Sequence, residues 1–89
     1  MSSDAPWRLR VHPSVPRKLA RFPHESRVRL ERVIDALPGN PYAGDIEKLK
    51  DTSHMWRRRV GSYRIFFEVI HAEKVIFVFW IERRTSSTY

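Results

Sequence analysis

Residues 55 to 64 read MWRRRVGSYR, and four arginines fall within eight positions with no acid among them. A guanidinium is charged at any physiological pH and offers a planar fork of N–H donors that matches a phosphate or carboxylate. Two or three of them brought to one surface would repel each other, unless an anion turned that repulsion into charge-assisted hydrogen bonds. The alternatives are a solvated face and a face covered by an acidic partner segment.

Other chemistry-bearing residues form weaker patterns. His12, His24, His54 and His71 lack metal-ligand spacing, and the chain has no cysteine, so no metal site, thiolate nucleophile or disulfide is expected. His54 lies just before the arginines and is within reach of the same face as a reserve proton carrier. Asp45, Glu47 and Asp51 alternate with Lys48 and Lys50 and read as a solvated segment. Phe66, Phe77, Phe79 and Trp80 offer rings on which nucleobases stack, although aromatics in central strands usually serve the core.

The hairpin positions the arginines. Gly61-Ser62 suits a two-residue type II′ turn, whose first position needs positive φ. Val60 is then opposite Tyr63, Arg59 opposite Arg64, Arg58 opposite Ile65, Arg57 opposite Phe66 and Trp56 opposite Phe67. One face collects Trp56, Val60, Tyr63, Ile65 and Phe67. The other collects Arg57, Arg59 and Arg64 beside Phe66 and Glu68, while the parity of Arg58 points it inward, to snorkel at a sheet edge.

Around that hairpin, residues 7 to 12 alternate as a strand, and PSVPRKLARF forms a short helix with Ser14 as N-cap and Pro16 in its first turn. From His24 to Leu37, apolar residues recur at helical spacing, with Glu25–Arg29 and Arg27–Glu31 as exposed pairs. Residues 38 to 45 break the chain, 46 to 54 lead through a loop or brief turn, and 56–60, 63–70 and 74–82 form a meander. The order is β-α-α-β-β-β, an α+β fold with a small antiparallel sheet and both N-terminal helices on one face.

The 89 residues make one domain, 1–89, and the formal charge of +7 favours a polyanion or an acidic protein as partner. MSSDAPWRLR lacks the apolar core of a signal peptide and no apolar run is long enough to span a bilayer, so a cytoplasmic chain without membrane contact is expected.

This order of elements, with the pattern Trp56-Arg57-x-Arg59-Val60-Gly61-x-Tyr63-Arg64 and the closing ERRTSSTY, resembles the RelE/ParE toxin superfamily across nearly the whole chain. The pattern does not separate RelE-type ribonucleases from ParE-type gyrase inhibitors, but the closing basic residues and tyrosine are more like RelE. That resemblance implies a type II toxin, an mRNA interferase that cuts messenger RNA on the ribosome by attack of a ribose 2′-hydroxyl on the adjacent phosphate. It implies no cofactor. Arg57 and Arg59 take the positions of the family's basic residues before the hairpin, Arg64 that of its transition-state arginine, Arg83 that of the leaving-group acid, and Tyr89 that of the substrate-orienting tyrosine. Lys48, Lys50, Arg84 and His54 are the expected RNA contacts. A cognate antitoxin and mRNA on the ribosome, with contacts to 16S ribosomal RNA, are the implied partners; a gyrase-directed toxin and a non-catalytic basic nucleic-acid-binding domain remain the rival readings.

Overall fold

The computed structural model describes residues 7–84. The chain runs β1 (Arg8–Val11), α1 (Ser14–Leu19), α2 (His24–Ala36), β2 (Ile46–Lys48), β3 (Met55–Val60), β4 (Tyr63–Ile70) and β5 (Val75–Arg83). The five strands form one sheet in the order β1-β5-β4-β3-β2.

Period-two burial builds the core. Along β4 every second residue, from Tyr63 through Ile65 and Phe67 to Val69, is buried. These residues join Val60, Ile76, Val78 and Ile81 against Val15 and Leu19 of α1, Leu30 and Ile34 of α2, and Leu37 just beyond it. Both helices therefore lie on one face of the sheet, as the α+β reading expects. Phe67, Ile65, Ile76 and Ile81 are fully buried, and each such side chain contributes about 1.5–3 kcal/mol of transfer free energy.

The hairpin register is the one the turn predicts: Val60 pairs with Tyr63, Arg59 with Arg64, and Arg57 with Phe66. Gly61 has φ +58° while Ser62 keeps an ordinary φ, the combination a type II′ turn requires.

Three local expectations are corrected. First, the sheet is mixed: β1 runs parallel to β5, because the connection through both helices returns the chain to the same end of the sheet. Second, residues 46–48 form a fourth antiparallel rung beside β3, with Ile46 opposite Arg58 and Glu47 opposite Arg57, where a loop was expected. A three-residue segment with two charges has no periodicity of its own and becomes a strand only because the outer edge of β3 offers it partners. Third, Ser14 is the first residue of α1 and not its cap; its backbone N–H and hydroxyl both engage the His12 ring nitrogen, at 3.0 and 2.9 Å. In α2, Arg27 donates to His24 at 3.2 Å, and the Arg29 guanidinium lies beneath Gly61, tying the helix to the hairpin turn.

Candidate functional site

The face of the sheet away from the helices carries Arg57, Arg59 and Arg64, brought together by the β3–β4 register. Their charges are not left bare. Arg57 donates to Glu47 across the β2–β3 ladder, the Arg59 Nε lies 3.6 Å from Asp45, and Arg64 donates to Glu82 at 3.2 Å. Asp45 and Glu47, read from sequence as a solvated segment, are thus the counter-ions of two of the three arginines. Glu68, which stands beside the arginines on the same face, holds the His54 Nε2 at 3.2 Å.

The Arg57 and Arg59 pairs are at the surface, while the Arg64–Glu82 pair is half-buried. The Asp45 and Glu47 side chains are each 66% exposed, and Arg59 is 49% exposed. Ion pairs in that setting contribute about 0–1 kcal/mol, because water screens them and ordering two long side chains has an entropic cost. They relieve the Arg59–Arg64 repulsion in the free chain and can be exchanged for a stronger, multidentate anion.

Arg83 is not brought to this face. It pairs with buried Tyr63, and its guanidinium lies 5.9 Å from that ring on the helix side. The cause is a bulge in β5: Phe66 pairs with Trp80 and Phe67 with Val78, so Phe79 is the extra residue. Beyond a bulge the alternation of sides shifts by one. Glu82, in place of Ile81, therefore comes opposite Arg64, and Arg83 turns to the helix side. The signal was present in the sequence only as an aromatic run with no side-to-side polarity.

Lys48 pairs with Trp56 and has the parity of the helix side, Lys50 is in the turn after β2, and Arg84 follows β5 with its backbone N–H bonded to the Ser62 carbonyl. His54 reaches the arginine face through Glu68. Tyr89 and the TSST stretch lie outside the described residues. Arg58, expected to snorkel at an edge, is covered: its guanidinium packs on Gly44, and its Nε has no partner. Among the described residues no cluster of side chains has the composition to hold a metal ion, and no helix is long and apolar enough to cross a membrane.

Residues 9–86 match the model of the ParE toxin family of type II toxin-antitoxin systems. The chain belongs to this family. As a member of the RelE/ParE toxin superfamily, it is also similar to RelE1 of Methanocaldococcus jannaschii, described as a candidate toxin, with 26% identity over 88% of this chain and 90% of the relative. The archaeal RelE–RelB complex from Pyrococcus horikoshii superposes with a TM-score of 0.78 at 27% identity, covering 91% of this chain and 98% of that one. Isolated Escherichia coli RelE shares the fold, with a TM-score of 0.75 at 18% identity over 91% of this chain and 87% of that one. The chain is a RelE-like type II toxin whose open sheet face concentrates the basic side chains of the hairpin.

Proposed function

We propose that this toxin is a ribosome-dependent endoribonuclease that cleaves messenger RNA by attack of the ribose 2′-hydroxyl on the adjacent phosphate. The observation that carries this reading is the gathering of Arg57, Arg59 and Arg64 on one face of the sheet, each held by a single carboxylate. A scissile phosphate entering between them replaces those carboxylates with fork-shaped contacts to its oxygens. Arg57 and Arg59 anchor it, and Arg64 stabilises the charge that builds on the pentacoordinate phosphorus.

As attack proceeds, the 2′-oxygen bonds to phosphorus, the 5′-oxygen leaves with a proton, and a 2′,3′-cyclic phosphate and a 5′-hydroxyl result. The guanidinium groups of Arg57, Arg59 and Arg64 stay charged and do not take the hydroxyl proton; His54, held on the same face by Glu68, offers an imidazole for that transfer. Arg83 and Tyr89 enter by family resemblance alone, as leaving-group acid and substrate-orienting ring. To act, the Arg83 guanidinium must swing from Tyr63 round the end of β5. Lys48, Lys50 and Arg84 contact RNA at the margins.

The partner that silences the toxin is a cognate antitoxin whose acidic segment covers the basic face. The net charge of +7 and the likeness to an archaeal RelE–RelB complex support this. Translating ribosomes incubated with the purified toxin are expected to yield A-site cuts with cyclic-phosphate ends, absent with Arg64→Ala. Equal cutting by that variant would remove the arginine face from the mechanism. The match to the ParE model favours one second reading, a gyrase-directed toxin that binds without cleaving. Its signature is DNA-damage signalling on expression while mRNA stays intact.

A further inference from the structure

The arginine cluster adjoins a row of rings that the reaction does not use. Phe66 sits directly across the ladder from Arg57 on the open face. Its ring is 6.3 Å from Phe79, Phe79 is 6.3 Å from Phe77, and Phe77 is 6.4 Å from His12, centroid to centroid. The far end is basic again, with the Arg10 guanidinium 5.6 Å from the Phe77 ring. Phe77 and Phe79 stand two apart on one side of β5, and the bulge between them and Trp80 sets Trp80 opposite Phe66. Trp80 does not belong to the row, since the Lys18 ammonium already covers its ring at 3.9 Å.

A sheet face exposed to water folds without phenylalanines, and an aromatic row on it carries a solubility cost. Each of these three rings is only partly covered. Cations at both ends of the row fit an occupant that is anionic along its length and flat in its side groups. The ring spacing is close to two base rises of about 3.4 Å, so successive rings match alternate bases of a stacked strand or neighbouring bases of an extended one.

We propose that Phe66, Phe79 and Phe77, ending at His12 and Arg10, form a stacking platform for the bases of single-stranded RNA flanking the phosphate held by the arginines. This rests on the RNA-binding reading above and deepens it. The platform is sequence-tolerant, because every base presents a π-face, and purines stack best.

The test is fluorescence anisotropy with a short labelled oligoadenylate and the purified toxin. Phe79→Leu keeps the apolar volume and removes the ring; it is expected to weaken binding about fivefold or more, as loss of one stacked base does, with an unchanged dependence on salt. Phe79→Tyr is expected to restore binding, separating stacking from folding. If Phe79→Leu binds within about twofold of the parent while Arg64→Ala is weakened, the platform is wrong and the phosphate site stands. A parent toxin that fails to bind the oligonucleotide overturns both. A Tyr variant as weak as the Leu variant shows a packing defect and overturns the platform. So does a Leu variant that keeps RNA but no longer co-purifies with the cognate antitoxin, which would make the row a protein contact.

Discussion

Arg59 and Arg64 face each other directly across the β3–β4 ladder, and each leans away to its own carboxylate, Asp45 at 3.6 Å and Glu82 at 3.2 Å. The two acids come from opposite sides of the hairpin, one from the segment before β2 and one from β5. The pair is thus held apart by counter-ions that a stronger anion can displace.

Arg64→Ala should abolish ribosome-dependent cleavage, a loss of at least about 100-fold, since electrostatic stabilisers of this type are worth that much in the transition state. Its folding stability should fall by about 1–2 kcal/mol, because the Arg64–Glu82 pair it breaks is half-buried. Cleavage assays beside a denaturant titration check both; an inactive variant that is also unfolded would assign Arg64 to structure.

Glu82→Gln removes the intramolecular competitor for Arg64 while keeping the shape of the side chain. Oligonucleotide binding should tighten by about 2- to 5-fold, the equivalent of roughly 0.4–1 kcal/mol. Weaker binding would mean that Glu82 positions Arg64 for the ligand.

Gly44→Ala should destabilise the fold by about 1–3 kcal/mol, because the position has φ +83° and an added Cβ would meet the Arg58 guanidinium at 2.7 to 2.9 Å. Combining it with Arg58→Ala relieves the contact and leaves the backbone strain. Thermal melts of the single and double variants separate the two contributions.

Phe67→Ala should cost about 3–5 kcal/mol, since the ring is fully buried between sheet and helices. In a domain with total stability of about 5–15 kcal/mol, that leaves a chain near its unfolding threshold at 37 °C. A cooperative melt shifted by only a few degrees would show that the core repacks around the cavity.

The hairpin was legible because a two-residue Gly-Ser turn permits one register, and that register sorts Arg57, Arg59 and Arg64 from Tyr63, Ile65 and Phe67. The second helix was legible because Leu30, Ile34 and Leu37 recur at helical spacing. Glu47 as partner of Arg57 was not, since it depends on a short edge strand that exists only once β3 is in place. A clue lay in the complementary charges of IEK and WRR when the two are written antiparallel. The side taken by Arg83 was hidden by the bulge at Phe79, which shifts the alternation without any change in residue type.

The pairing of β1 with β5 has a consequence for when the toxin becomes competent. The first strand made finds its hydrogen-bonding neighbour in the last, so no nascent chain can close its sheet until that final strand has left the ribosome. A polypeptide interrupted during synthesis before Val75 would lack both the neighbour of β1 and Glu82. Such a fragment is expected to be cleared by proteolysis before it harms the cell that is making it.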